Sequence, residues 1–339
     1  MKKYQKKTAL SFDDILLVPQ SSSIASRKNI EVSMHGFDLP IVSSPMDTVS
    51  EHLMVSTLSN MGGLGIIHRY MEQGKQIQEL KLAMELSKNP TGIGLAISSK
   101  DAFNRVYIEN ILSNGCTLVC IDTANGHSDA PIEAVKELKS KYPELRVMVG
   151  NVATKEGYKA LASAGADMIR VGIGGGSVCT TRIVTGHGVP TLQSLIECKA
   201  IKNKMNFSSL IVADGGIRNS GDLVKAFAAG ADLVMLGSML AGTDQSPGAV
   251  VNGFKSYRGM ASKEAQKEWR DSVSVEEGIS TLVAYKGDVV EVINQIVKGL
   301  QSGCSYTGVS SLSDLHEGAL YIVTSHASAK ESQPHGKLN

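Results

Sequence analysis

A chain of 339 residues, 42% of them hydrophobic, can bury the core of one large domain or of two small ones. Its net charge of +1 gives no reason to expect a nucleic-acid or membrane-surface partner, and no apolar run approaches the roughly 18 residues that span a bilayer. The basic start lacks the apolar stretch of a secretory signal, and five cysteines without a Cys-x-x-Cys pair indicate reduced thiols in a cytoplasmic protein.

Eight apolar runs alternate along the chain with amphipathic stretches. The runs predict strands at residues 39–44, 63–68, 92–97, 117–122, 146–152, 167–173, 209–214 and 232–237. The stretches predict helices at residues 73–86, 102–112, 130–141, 155–164, 192–204, 223–229 and 289–300. Strands that are apolar almost throughout are typical of a parallel sheet buried on both faces. Eight strand–helix repeats therefore predict an α/β fold of the (β/α)8 TIM-barrel class.

Two segments, residues 1–38 and 241–285, fall outside this repeat. The second segment is polar, contains the single tryptophan Trp269, and interrupts the eighth strand–helix unit. Because an insertion at the carboxyl end of a barrel strand lies on the catalytic face, this segment is predicted to be an active-site flap. Residues 1–325 are expected to form a single catalytic domain, and residues 326–339 a disordered tail.

A glycine-rich loop follows the sixth predicted strand and reads Gly-Ile-Gly-Gly-Gly-Ser-Val-Cys-Thr-Thr-Arg at positions 172–182. Glycines permit backbone conformations in which amides surround a phosphate or carbonyls surround a cation. A thiol beside such dipoles at a barrel mouth, here Cys179, can act as a nucleophile. The alternative is a flexible loop with an incidental cysteine. The other cysteines, apart from Cys304, whose role stays open, lie in apolar or helical contexts and are predicted to be structural: Cys116, Cys120 and Cys198.

Polar or glycine-containing turns follow four other predicted strands. Residues 214–216 (Asp-Gly-Gly) and 236–238 (Leu-Gly-Ser) follow strands seven and eight, where barrels of this class bind phosphate. Ordinary strand-end turns are the alternative there. Residues 122–127 (Asp-Thr-Ala-Asn-Gly-His) follow strand four and could orient a cofactor amide, and His68 ends strand two. A common turn and a buried structural histidine explain these two features equally well.

Eight short motifs follow one another along nearly the whole chain. They include Gly-Ser-Val-Cys-Thr-Thr-Arg and Tyr-Arg-Gly-Met, and they lie at residues 11–19, 44–49, 122–128, 150–153, 176–182, 214–216, 257–260 and 285–287. In this set and order they resemble the family of IMP dehydrogenases and GMP reductases. The resemblance implies a purine nucleotide substrate, GMP or IMP, a bound K+ ion and a homotetramer.

The resemblance also implies a covalent first step, in which the thiolate matching Cys179 attacks C2 of the purine. In a reductase, the amino group of GMP then leaves as ammonia, and NADPH delivers hydride to give IMP. In a dehydrogenase, hydride passes from IMP to NAD, and water hydrolyses the adduct to XMP. The nicotinamide cofactor supplies the redox chemistry in both reactions.

Site residues are carried over from the family motifs position by position. The catalytic residues would be Cys179, Thr181 and Glu277, the last two as a proton relay. The nucleotide would be held by Met46, Ser177, Asp214, Gly215, Gly216, Gly237, Ser238, Gly259 and Met260. The cofactor would meet Ser26, Arg27, His68, Asp122, Thr123, Ala124 and Asn125. The K+ ion would be bound by the carbonyls of Gly174, Gly176 and Cys179.

Three features favour a GMP reductase that uses NADPH. Dehydrogenases usually carry two CBS modules after the second strand, and here residues 68–71 run straight into a predicted helix. The flap holds Trp269 and Arg270 but lacks the arginine–tyrosine pair that activates water in dehydrogenases. The end of the cysteine loop, residues 185–186 (Thr-Gly), is similar to that of reductases.

Two alternatives stay open beside the reductase. An IMP dehydrogenase without CBS modules, using NAD, fits residues 44–46 and 188–190, which are similar to dehydrogenase sequences. In that case Arg270, which precedes Asp271, could supply the base. The other alternative is a barrel that only binds a nucleotide, although an intact set of candidate catalytic residues argues against it.

Overall fold

A closed barrel of eight parallel strands forms the centre of the computed structural model, which describes residues 8–269, 274–325, 328, and 331–332. The strands in chain order are β1 (Ile15–Leu17), β2 (Ile41–Ser43), β3 (Gly65–Ile67), β4 (Ile93–Ile97), β5 (Leu118–Asp122), β6 (Arg146–Val152), β7 (Met168–Val171), β8 (Leu210–Asp214), β9 (Leu233–Leu236), β10 (Phe254–Arg258), β11 (Ser280–Ala284) and β12 (Tyr321–Val323). Strands β2 to β9 form the barrel in the order β2-β9-β8-β7-β6-β5-β4-β3. The amide of Ser43 closes it by donating to the carbonyl of Leu64, with an N–O distance of 3.0 Å. The predicted (β/α)8 barrel is confirmed.

Helices surround the barrel. They are α1 (His52–Asn60), α2 (Gln73–Leu86), α3 (Arg105–Ser113), α4 (Asp129–Lys141), α5 (Lys155–Ser163), α6 (Thr181–Thr185), α7 (Thr191–Met205), α8 (Ser220–Ala228), α9 (Lys263–Trp269), α10 (Val289–Thr307) and α11 (Leu315–Gly318). The connection from β3 to α2 consists of residues 68–72 and holds no further domain, as predicted. Among the described residues, no helix is both long enough and apolar enough to cross a membrane.

Three predicted helix boundaries are wrong. Helix α8 begins at Ser220, three residues before the predicted start, because the side chain of Asn219 caps it by accepting from the amide of Asp222. Helix α3 begins three residues late, because the side chain of Asn104 accepts a hydrogen bond from the amide of Tyr107 and so caps the helix there. Helix α10 continues to Thr307, seven residues past the predicted end. Its Gly299 and Gly303 stay helical and allow α8 to approach closely, since a Cβ at either position would overlap an α8 side chain.

The hydrophobic core has two layers, which explains why the strands are apolar on both faces. One layer lies between the barrel and its helices. The other fills the barrel interior and consists of Phe37, Val42, Leu64, Ile66, Ala96, Leu118, Cys120, Met148, Met168, Val212, Leu233 and Met235.

The segments outside the repeat form two small antiparallel sheets. Strand β1 pairs with β12, and β10 pairs with β11. The described part of the predicted flap contains strands β10 and β11 and helix α9, whereas residues 270–273 lie outside the described residues. Most of the tail predicted to be disordered, residues 326–339, also lies outside them.

Candidate active site

A cavity of about 520 Å³ opens at the carboxyl ends of the barrel strands, under the flap. All of the residues predicted for catalysis, nucleotide binding and the cation line it. They are Met46, Gly174, Gly176, Ser177, Cys179, Thr181, Asp214, Gly215, Gly216, Gly237, Ser238, Gly259, Met260 and Glu277. Three of the residues predicted for the cofactor also line it: Asp122, Thr123 and Ala124.

The glycine-rich loop reaches the cavity through a backbone turn that only glycine accommodates. Gly172 has a φ of +142°, and a Cβ there would overlap the carbonyl oxygen of Asp214 at the end of β8. Further along, the amide of Cys179 donates to the carbonyl of Gly176 over 3.1 Å. The amide of Thr180 donates to the carbonyl of Glu277 over 3.1 Å, which joins the loop to the flap.

Cys179 differs from the other four cysteines in its surroundings. Its side chain is half-buried on the cavity, and its sulfur lies 3.2 Å from the hydroxyl oxygen of Thr181. The remaining cysteines are buried. Burial raises the thiol pKa to about 12 in Cys198 and to about 11 in Cys116, Cys120 and Cys304. Since the thiolate is the nucleophilic form, the four buried thiols are poor nucleophiles, and Cys179 is the one cysteine of the five that lines the cavity.

The loop carbonyls suit a monovalent cation. No donor among the described residues reaches the carbonyls of Gly174 and Cys179, and the carbonyl of Gly176 accepts only the amide of Cys179. Neutral oxygen donors of this kind match the chemistry of K+. In the part of the chain that the structure describes, no cluster of three or more His, Cys, Asp or Glu side chains could hold a metal ion instead.

A buried charged network at the base of the cavity was missed by the sequence analysis. The guanidinium of Arg170, on β7, donates to Asp122 over 2.7 Å and to Asp214 over 2.9 Å. Asn151 also donates to Asp214, over 2.7 Å, and Arg69 donates to Asp122 over 3.1 Å. A signal for Arg170 existed, because a charge within an otherwise apolar strand has to be paired when it is buried.

A second missed residue, Tyr257, lines the cavity beside residues predicted to hold the nucleotide. It stands on β10, and its ring is buried. Ser177 donates to its hydroxyl over 3.4 Å, and a Cβ at Gly237 would lie 3.0 Å from the same oxygen. Tyr257 belongs to one of the motifs that carried the family resemblance, so the signal was present but was not given a role.

Four residues predicted to bind the cofactor do not line the cavity. His68 is buried, with Nε2 3.2 Å from Glu51 and Nδ1 accepting from the amide of Tyr70. Both ring nitrogens are therefore partnered within the protein, as in a buried structural histidine. The side chain of Asn125 accepts from the amide of His127 within its own turn. The remaining pair, Ser26 and Arg27, lies in the segment before the barrel.

Ion pairs join the flap to the loop after β2. Asp47 accepts from Arg258 over 3.0 Å and from the indole of Trp269 over 3.2 Å. Arg258 also donates to Glu268 over 3.0 Å. Strand β10 and helix α9 of the flap are therefore both connected to the barrel through Asp47.

A family model described as the IMP dehydrogenase / GMP reductase domain matches residues 9–335 of this chain. The chain belongs to this family. It is accordingly an oxidoreductase of purine metabolism, and the resemblance predicted from its motifs is confirmed.

Relatives with known names align over almost the whole chain. The inosine-5'-monophosphate dehydrogenase of Borreliella burgdorferi is 37% identical, with 97% of each chain covered. The enzyme of the same name from Cryptosporidium parvum is 36% identical, with 96% of this chain and 94% of the relative covered. That from Nitrosopumilus maritimus is 31% identical, with 98% and 99% covered.

These names correct the prediction of a GMP reductase, which is wrong; the dehydrogenase alternative agrees with them. The expectation of NADPH loses its support with the reductase. The prediction had depended on the absent CBS modules, on the flap and on the two-residue end of the cysteine loop. A missing insertion leaves the barrel chemistry untouched, so it does not separate the two reactions. The flap argument concerned the missing arginine–tyrosine pair, and Arg270, the substitute base considered for a dehydrogenase, lies outside the described residues.

Proposed function

We propose that this chain is an IMP dehydrogenase that oxidises IMP to XMP with NAD+ as the hydride acceptor. The observation that carries the proposal is Cys179, the half-buried thiol on the cavity, in a chain that aligns end to end with relatives named for that reaction. Residues 1–325 would form the catalytic domain, within a homotetramer.

The reaction balances as IMP, NAD+ and water giving XMP, NADH and a proton. The Cys179 thiolate forms a bond to C2 of IMP, and hydride leaves C2 for NAD+. Water then attacks C2, the carbon–sulfur bond breaks, and the thiol is restored as XMP leaves. The Thr181 hydroxyl lies 3.2 Å from the sulfur and Glu277 lines the same cavity, so both can carry protons during these steps.

The cavity offers separate groups to each part of the nucleotide. Asp214 would present its carboxylate to the ribose hydroxyls. Backbone amides of glycine turns and the hydroxyl of Tyr257 would bind the phosphate, and the flap would cover the purine. These nucleotide contacts would come from Met46, Ser177, Gly215, Gly216, Gly237, Ser238, Gly259 and Met260.

The hydride acceptor would share the cavity with the nucleotide. Asp122, Thr123 and Ala124 line the cavity and would face the nicotinamide half. Ser26 and Arg27 would reach the adenosine half only from a neighbouring subunit. A K+ ion held by the loop carbonyls would keep Cys179 in place, and the rate should be higher in K+ than in Na+ or Li+ at equal ionic strength.

The proposal is tested by supplying the purified protein with IMP and NAD+. The near-ultraviolet absorbance of reduced nicotinamide should rise, and mass spectrometry should identify XMP. Cys179→Ala should lower turnover by roughly several orders of magnitude, as loss of a covalent nucleophile does. The matched control is Cys198→Ala, because Cys198 is buried on α7 away from the cavity. A folded wild type that forms no XMP, or a Cys179→Ala variant with normal turnover, would contradict the proposal.

A further inference from the structure

Arg170 occupies a position from which one side chain reaches two ligand-binding carboxylates. It stands on β7 with only 6% of its surface exposed. Its Nη1 donates to Oδ1 of Asp122, at the end of β5, over 2.7 Å. Its Nε and Nη2 donate to Oδ2 of Asp214, at the end of β8, over 3.1 and 2.9 Å. The planar guanidinium therefore bridges two strands that are not neighbours in the barrel.

The bridge determines how Asp214 faces the cavity. Oδ2 of Asp214 accepts three N–H groups, two from Arg170 and one from Asn151 at 2.7 Å. No described residue donates to Oδ1, and the side chain lines the cavity. One oxygen is thus committed to the protein, while the other remains for a ligand such as a ribose hydroxyl.

Asp122 is held from two sides. Its Oδ1 accepts from Arg170. Its Oδ2 accepts from Nε of Arg69 over 3.1 Å and from the hydroxyl of Tyr70 over 3.3 Å. Burial would raise the pKa of Asp122, but the charges of Arg170 and Arg69 outweigh burial and lower it. Asp122 therefore remains an anion with a fixed orientation. Arg69 donates to Asp122 and not to Asp214, which gives the network an internal control.

We propose that Arg170 is a positioning residue that orients the nucleotide-side carboxylate Asp214 and the cofactor-side carboxylate Asp122 together, so that both binding half-sites depend on one guanidinium. The assignment of the two sides rests on the proposed function. The reason for an arginine is its geometry, because its donors lie on three nitrogens in a rigid fork. A lysine keeps the charge but offers its donors from one nitrogen and cannot reproduce both contacts.

The test compares Arg170→Lys with Arg69→Lys by calorimetric titration of each protein with IMP alone and with NAD+ alone. Arg170→Lys should raise both dissociation constants, each by roughly ten- to hundredfold, the usual effect of disturbing a charge-assisted hydrogen bond at a binding group. Arg69→Lys should raise only the constant for NAD+. Thermal unfolding checks that both variants are folded. If Arg170 had only a structural role, the two variants would not differ in which ligands they bind more weakly.

A folded Arg170→Lys protein that keeps either affinity unchanged overturns the proposal. If Arg170→Lys does not fold, Asp122→Asn provides the test. The substitution removes the charge that binds Arg170, so the affinity for IMP should fall although Asp122 is on the cofactor side. Unchanged IMP affinity in Asp122→Asn would also overturn it. Because dissociation constants do not need turnover, a wild type that binds both ligands but forms no XMP refutes the dehydrogenase alone. A wild type that binds neither refutes both proposals.

Discussion

Gly172→Ala adds only one methyl group but should lower both the stability and the turnover of the protein substantially. Gly172 has a φ of +142°, and an added Cβ would overlap the carbonyl oxygen of Asp214 while meeting the Thr191 hydroxyl at 3.3 Å. The overlapped atom is backbone at the end of β8, so no side-chain rotation relieves it. Either the loop that carries Cys179 or the end of β8 has to move.

Two costs contribute to the magnitude. A side chain in this backbone region costs about 1–3 kcal/mol, and overpacking a tight contact costs about 1–3 kcal/mol more. The free energy of unfolding should therefore fall by about 2–6 kcal/mol. Displacement of catalytic groups by about 1 Å can lower a rate roughly a hundredfold, and turnover should fall at least that far in the protein that remains folded.

The assay is urea unfolding together with the rate of NADH formation from IMP and NAD+. Gly186→Ala is the matched control, because Gly186 also has a positive φ, +70°, but nothing lies within 4 Å of an added Cβ. It should cost only about 1–2 kcal/mol of backbone strain and leave most of the activity. Equal effects of the two substitutions would refute the steric argument.

Three further predictions concern thiols, a buried hydroxyl and acid. Iodoacetamide at neutral pH should alkylate Cys179 alone, because burial raises the pKa of the other four thiols; peptide mapping that finds another cysteine modified first would contradict this. Tyr158→Phe should lower the free energy of unfolding, measured by chemical denaturation, by about 1–3 kcal/mol, because the buried Tyr158 hydroxyl donates to the carbonyl of Ser209 over 2.6 Å. Tyr321→Phe, at an exposed ring, should leave the free energy of unfolding almost unchanged. The pKa of Asp122 is lowered in the folded state, so its carboxylate stabilises the fold above the ordinary pKa of about 3.9, and this stabilisation is lost as pH falls through the lowered value. In Asp122→Asn the free energy of unfolding should therefore fall less steeply with decreasing pH. An unchanged slope would contradict this.

The barrel could be predicted from sequence because its signal repeats. Each strand is buried on both faces, so each run is apolar throughout, and eight such runs leave few alternatives. Helix α1 was missed because His52–Asn60 mixes serine, threonine and asparagine with its apolar residues, and two of its serines are buried. Burial of small polar side chains depends on neighbours distant in sequence.

The sequence placed Cys179 and Thr181 together at the cavity because they are close in sequence. Cys179 and Thr181 lie on one loop, and a glycine run marks that loop. The charged network was not predicted, because Asp122, Arg170 and Asp214 come from three strands and meet only when the barrel closes. His68 was predicted to face the cofactor but is buried. Its position at a strand end does not reveal whether the side chain points into the protein or into the cavity.

The choice between reductase and dehydrogenase depended on too few residues. The reductase prediction relied on a missing flap pair, an absent insertion and a Thr-Gly dipeptide, whereas similarity to the named dehydrogenases extends over 97% of the chain. A base for water can come from more than one side chain, so the lack of one arginine–tyrosine pair does not exclude hydrolysis.

The most direct test of the central claim is product analysis after incubation with IMP and NAD+ in water enriched in heavy oxygen. A dehydrogenase that hydrolyses a C2 adduct on Cys179 should release XMP carrying one solvent oxygen at C2, with one NADH formed for each XMP. Cys179→Ala should release both products more slowly, by roughly several orders of magnitude. Unlabelled XMP, or no XMP from a wild type that binds IMP, would contradict the account.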